Sequence, residues 1–581
     1  LATNTDLEEG ALSLEEFVKL PTTVAFNAIN TKRFQVFVKN NPYIKTGTQL
    51  GTGYVPVYLN IKNIPILFEE LGNNYLLFPA ILSPVDAQAN TEAGITPILE
   101  HPYLELSGKG VIIGVVDTGI DYTKDVFQYE DGTSKIISIW DQTIDGARSS
   151  KTYFGSEYSR EQINEALKAE DPFEVVPSRD MDGHGTFLAS VAAGRQTKDY
   201  IGAAPGAELI VVKLKRAHEY FIKELFLPPD KPNYFHNADV MLGMQYIIEM
   251  SRERNAPLVI CNGLGSNDAG HDGYTMFGEY ISYISQRAGF AVVTAAGNES
   301  NAKHHTQGVL FRTGSTDVIG IRVGEASASF SFNIFAAAYD KFSVGITSPS
   351  GEVISRVPFN VDVKTKEELI FEKTIVYITY YKAVNTVVTI SFQDAREGIW
   401  EINLYGDSIL GGEYHAWLPI TYQVSPEVQF MKPVPEYTIV YPGNALRSIV
   451  CGAYNPNNNS LYVSSSWGPT RLPRMAPDFV APGVNVAGVY PTGFGTMTGT
   501  SVAAAVAAGA AAILMEWGIV KGNYLSMDGD VVRLLLISGC KRDEEIEYPN
   551  VKWGYGKLDL YATFWGIRES NIRFNTSEEV L

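Results

Sequence analysis

Cysteine is scarce in this chain. There are three, Cys261, Cys451 and Cys540, far apart and with no CxxC pair. An odd count at that spacing excludes a disulfide framework and a zinc ribbon. Each lies in an apolar run, which predicts a buried free thiol. Positive charge is also short: 46 lysines and arginines stand against 65 acids, a formal net charge of −19. That balance argues against nucleic acid or an anionic membrane as partner, and part of it serves solubility. No apolar run of about 18 residues passes without a break, so no membrane insertion is expected. Asp121 and Asp125 are scattered acids without calcium-loop spacing, so no metal and no cofactor is expected. From Leu1 onward the chain is polar and acidic, without the apolar core of a signal peptide.

Against those absences, four phrases carry chemistry. Val111–Asp117 is a short, β-branched run that reads as a buried parallel strand ending in an acid, followed by the turn Thr118-Gly119. In open α/β sheets, functional groups sit at such carboxyl ends. The bland alternative is a turn or cap aspartate. Asp182-Gly183-His184-Gly185-Thr186 opens a helix of small residues, and its glycines let another chain approach the ring. A lone histidine is more often structural, but the chain has only 8. Ala291–Ala296 reads as another buried strand, and Asn298 just after it is a turn residue or an amide donor. Gly499-Thr500-Ser501-Val502 starts a long Ala-rich helix, where Ser501 is an ordinary N-terminal residue or a nucleophile.

Acid, histidine, asparagine and serine in this order resemble the subtilisin-like serine proteases, peptidase family S8, over roughly residues 105–305 and 440–565. The phrases Ser465-Ser466-Trp467-Gly468-Pro469, Ala476–Gly483 and Trp553–Asp559 agree with that family. The resemblance implies that Asp117 orients His184, that His184 is the general base and acid, and that Ser501 is the nucleophile. It implies an oxyanion hole from Asn298 and the Ser501 N–H. It also implies a substrate edge at Gly263, Leu264 and Gly265, on which a peptide lies as an added strand. One departure is Ala505, where the family usually has proline. A changed helix kink is expected there, with activity kept.

Two regions do not match the catalytic phrases. Residues 1–88 read as a small α+β unit: a capping box at Ser13–Glu16, strands at Arg33–Val38, Tyr54–Leu59 and Asn74–Pro79, and a helix at Ile64–Gly72. It sits where the family carries a propeptide that inhibits its own enzyme. The polar stretch Ser83–Thr91 then reads as a linker holding a self-cleavage site, taken at Gln88. Residues 306–437 change to alternation with turn punctuation, as in Ala328–Ile334, Thr386–Phe392 and Gly398–Gly406. They read as an inserted β-sandwich or jelly roll. The protease sheet is expected to resume at Thr438–Gly443.

With both additions the chain resembles the clostridial Csp-type germination proteases in particular. The fold expected is α/β, a subtilisin-like parallel sheet flanked by helices over 89–305 and 438–581, with an N-terminal α+β propeptide domain and an inserted all-β jelly roll. The resemblance implies an endopeptidase acting on polypeptide substrates, monomeric, spore-associated or extracellular, and activating a spore-cortex lytic proenzyme. The alternatives weighed are an inert pseudoprotease that senses or scaffolds, which the presence of Asp117, His184 and Ser501 disfavours, and a β-sandwich binding module on an inert α/β carrier.

Overall fold

The structure is a computed structural model. It describes residues 11–51, 53–71, 81–84, 92–146, 148, 151–324, 328–471 and 474–569. Asn74–Pro79 and Gln88 therefore lie outside the described residues.

The centre is a nine-stranded mixed sheet. Ile112–Asp117 lies between the parallel strands Leu258–Asn262 and Glu208–Lys213. Phe290–Ala295 and Ile449–Asn455 extend it on the Leu258 side, again in parallel. These strands are buried on both faces, which is why they read as continuous apolar runs. One face packs on Thr500–Met515, a helix buried along its whole length. Its alanines and Gly509 let backbones approach: a Cβ on Gly509 would lie 2.3 Å from the Ala203 Cβ. Val502, Val506, Ile513 and Leu514 are fully buried there, each contributing about 1.5–3 kcal/mol by leaving water. The helix runs unbroken through Ala505. Extended by one π turn to Val520, it is long and apolar enough to cross a membrane, but 89% of the qualifying window is buried inside the molecule. The three cysteines are free and buried.

The N-terminal region is a three-stranded antiparallel sheet, Thr23–Ile29, Tyr54–Asn60 and Ile44–Thr46, with Tyr54–Asn60 in the middle. The capping box at Ser13 is present. Arg33–Val38 is not a strand: Lys32–Asn40 is a helix capped by Thr31. A strand would put Phe34 and Val36 on one face, yet Phe34 is 1% exposed and Val36 58%. The helical spacing Phe34, Phe37, Val38 is the one that reaches the core. That core is shared with Ala217, Phe221, Ile222, Leu227 and Tyr234 of the body. Across the junction the Tyr54 hydroxyl meets Glu279, and the Tyr58 and Tyr153 hydroxyls lie 2.8 Å apart.

From His305 to Phe430 the chain forms two packed antiparallel sheets around one core. The six-stranded sheet includes His305–Val309, Ala328–Ala337, Asn385–Ala395 and Thr374–Lys382. Its entry and exit lie side by side: Phe430 N–H donates to Lys303 O at 3.0 Å and Val434 N–H to His305 O at 2.9 Å. The central sheet does not resume at Thr438–Gly443. Tyr441 instead bridges to Ser266, and the next strand of the sheet is Ile449–Asn455.

At this junction His271 stacks on Trp417 at 4.1 Å, and His305 stacks on it at 4.9 Å. Burial pushes the His271 imidazole down to about 3 and His305 to about 4. Both are then neutral when folded, whereas the unfolded chain binds protons near pH 6.5. Stability is therefore present at neutral pH and lost as pH falls below about 6.5 toward the folded values. Two such groups remove about 4 kcal/mol between pH 7 and 5. A thermal melt at pH 5 should shift down by many degrees against pH 7. Equal melting temperatures would show that the stack tolerates charge.

Candidate active site

One strand end and two helix starts deliver three side chains to one point. Asp117 ends its strand, His184 is the first residue of the helix His184–Ala193, and Ser501 is the second residue of Thr500–Met515. His184 Nδ1 lies 2.7 Å from Asp117 Oδ1, and His184 Nε2 lies 3.3 Å from Ser501 Oγ. All three residues are buried. Asp117 Oδ1 also accepts from Thr118 N–H at 2.7 Å, while its Oδ2 has no partner among the described residues. With the carboxylate accepting at Nδ1, Nε2 is the lone-pair nitrogen facing the serine hydroxyl. That arrangement can take a proton from Oγ and hold the imidazolium that forms.

The glycines around the ring are steric requirements. A Cβ on Gly185 would lie 2.3 Å from Gly119 O, and Gly183 has φ +95° at the helix entry. Asp180, four residues before His184, fixes that entry. Its Oδ1 accepts from Gly183 N–H at 2.8 Å, and its Oδ2 accepts from Thr186 N–H at 2.9 Å and Thr186 Oγ at 2.7 Å. Only its place in Asp180-Met181-Asp182-Gly183 hinted at this, as an Asx turn before a helix.

Asn298 follows the strand Phe290–Ala295, beside Gly297 at φ +107°. Its Oδ1 accepts from Thr500 N–H at 3.0 Å, which turns its amide NH₂ away from Thr500. Gly297 N–H donates to Thr500 Oγ1 at 2.9 Å, tying the two loops. The Ser501 N–H at the helix start has no partner within the helix. Asn298 is thus anchored to the residue just before Ser501.

Gly263 lies directly against this group: a Cβ there would meet Ser501 Cβ at 3.1 Å and His184 Cε1 at 3.2 Å. The next residues, Leu264–Gly265, form a short edge strand. On it lies the chain's own segment Ile81–Pro84, antiparallel, with Pro84 opposite Leu264 and Ser83 opposite Gly265. Phe235–His236 pairs with the other edge of that segment. Beside Asn298 opens a cavity of about 690 Å³ bounded by Gly265, Val440, Ile420, Tyr422 and Thr498. Glu299 lines it but is held internally, accepting from Thr421 N–H at 3.0 Å and facing His304 Nδ1 at 2.7 Å. Among the described residues no group of three or more His, Cys, Asp or Glu gathers to hold a metal.

An acid, a histidine and a serine aligned at the ends of parallel strands and helix starts are the side-chain set of a serine-hydrolase type of site. The sequence profile described as the Subtilase family, peptidase S8, matches residues 108–357 and 431–556, and the chain belongs to that family. Among solved structures it is similar to the CspB protease of Clostridium perfringens: 29% identity, TM-score 0.72, covering 82% of this chain and 99% of that one. A PII-type proteinase of Lacticaseibacillus paracasei is 21% identical over 572 residues, 87% of this chain and 28% of that protein. The subtilisin-like protease SBT3.6 of Arabidopsis thaliana is 27% identical over 149 residues, 24% of this chain and 19% of that protein. The chain thus spans about a quarter of the length of these curated relatives.

Proposed function

We propose that this chain is a serine endopeptidase working by acyl transfer at Ser501. His184 takes the Oγ proton and passes it to the leaving amine, and Asp117 fixes its tautomer. Asn298 and the Ser501 N–H hold the oxyanion. Gly263, Leu264 and Gly265 carry the substrate as an added strand. The observation that carries this reading is the buried alignment of Asp117 Oδ1, His184 Nδ1, His184 Nε2 and Ser501 Oγ at 2.7 and 3.3 Å. A fluorophosphonate probe should label the chain at Ser501 and leave Ser501→Ala unlabelled. An unlabelled wild type would defeat the proposal.

Residues 1–88 then act as a propeptide that stays docked and inhibits, and 306–437 as an inserted jelly roll within a catalytic domain of 89–305 and 438–581. The cut falls between Pro84 and Thr91. The sequence points to Gln88, whereas Pro84 opposite Leu264, one step from Gly263, favours a cut after Val85. Edman sequencing distinguishes new N-termini at Asp86 and Ala89. By likeness to the Csp-type proteases, the physiological substrate is the proform of a spore-cortex lytic enzyme, cleaved by a monomer that is spore-associated or extracellular.

Asn298→Leu keeps the side chain's size and removes the donor. Turnover should fall by about 10²–10³ with little change in KM. A variant whose single-turnover rate equals the wild type's would remove Asn298 from the oxyanion hole.

A further inference from the structure

A separate cavity of about 260 Å³ lies where the N-terminal region, the catalytic body and the inserted sheets meet. One wall is Ser266-Asn267-Asp268, which directly follows the edge strand Leu264–Gly265. The facing wall is the outer side of the six-stranded sheet. Period-2 alternation there buries Phe330, Phe332 and Ile334 and turns Ser331 and Asn333 the other way. The polar groups are prearranged: Ser331 Oγ and Ser391 Oγ are 2.9 Å apart, and Thr389 Oγ1 donates to Asn333 Oδ1 at 2.6 Å. Asn333 Nδ2 in turn donates to Asp268 Oδ1 at 2.7 Å, joining the two walls.

The cavity is rich in acceptors. Asn267 is 2% exposed; its Nδ2 donates to Leu418 O at 3.1 Å, and its Oδ1 has no partner among the described residues. A buried acceptor left open costs stability unless a ligand donor meets it. Three carboxylates, Glu224, Asp268 and Asp362, line the space against one lysine, Lys364, which pairs with Glu224 at 3.3 Å. Asp362 makes no ion pair among the described residues, and it is exposed.

The register of Ile81–Pro84 says what reaches this wall. A polypeptide lying as that segment does, with its reacting carbonyl facing Gly263, sets its second residue opposite Leu264 and its third opposite Gly265. The observed pairing ends at Gly265; carried on past Ser266, the same antiparallel count would bring the fifth residue opposite Asn267. We infer that the cavity is an extended substrate subsite, built in part by the inserted sheets, that takes a lysine or arginine side chain five to seven residues before the bond cut. The inference rests on the endopeptidase reading proposed above. The chain's own residue at the fifth count, Ile81, carries no donor side chain. A basic substrate therefore gains there an interaction that the chain's own segment does not offer.

The test uses the full chain and two fluorescent peptides, identical around the bond cut and differing in lysine or alanine at the fifth to seventh residues upstream. The lysine peptide should have about tenfold higher kcat/KM, carried by KM. In Asp362→Asn combined with Ser391→Ala that ratio should fall to about one. Equal use of both peptides by the wild type overturns the subsite. So does a ratio that survives in the double variant, or an equal loss for both peptides, which would mark a structural effect. Anisotropy titration of the same peptides against Ser501→Ala separates this from the chemistry. If the wild type cleaves neither peptide but the lysine one binds tighter, the nucleophile assignment fails and the subsite stands. The titration is carried to the millimolar peptide needed to displace Ile81–Pro84, and equal binding, or binding of neither at that level, overturns the subsite.

Discussion

Ser501→Ala is expected to lower peptide hydrolysis by roughly 10⁶-fold, the scale of loss when the nucleophile of a coupled triad is removed. Alanine fits without strain, because Ser501 sits fully buried in a helix already rich in alanine. The fold should therefore survive, and near-UV circular dichroism should match the wild type. Without Oγ the His184 Nε2 has no hydroxyl to deprotonate, and only the oxyanion donors and substrate alignment remain. The same variant reads the maturation step. Wild type should appear in denaturing mass spectrometry as a fragment pair that sums to one chain, and the variant as one uncut chain. Hydrolysis by the pure variant above background would sink the assignment of Ser501. A fragment pair appearing equally in both would show that another protease makes the cut.

Asp117→Asn should cost about 10⁴ in kcat while leaving the backbone in place. The carboxylate accepts from both His184 Nδ1–H and Thr118 N–H through Oδ1. An amide there can turn its NH₂ toward Nδ1. The ring then carries its proton on Nε2, the nitrogen that must accept from Ser501. It also loses the negative charge that stabilises the imidazolium. The measurement is single-turnover acylation at neutral pH. A rate within tenfold of wild type would mean that Asp117 only braces the loop.

The parts that were legible in the sequence are local. A β-branched run ending in Asp117, or glycines flanking His184, name a strand end and a close approach within a few residues. The end of the strand Leu258–Asn262 before Gly263 was legible for the same reason. Asp180 was not read, because its bonds run to Gly183 and Thr186 and become visible only once the turn is folded. Arg33–Val38 offered two periods at once, and Thr31 as cap plus the shared core decided for the helix. The return to the sheet was misplaced for a tertiary reason. Thr438–Gly443 is apolar enough for a strand, but Tyr441 pairs with Ser266 and Val440 N–H donates to Ala296 O. The segment is used to line the cleft, and the sheet waits for Ile449.

The segment Ile81–Pro84 follows an N-terminal region that shares a core with the body. In the propeptide reading proposed above, this tethered strand competes with free peptides at an effective concentration on the order of millimolar. Free substrate at micromolar levels would then lose that competition unless its affinity were about a thousandfold higher. Throughput should accordingly track the docking equilibrium of the N-terminal region, and substrate concentration would govern it only after that region has been displaced or digested.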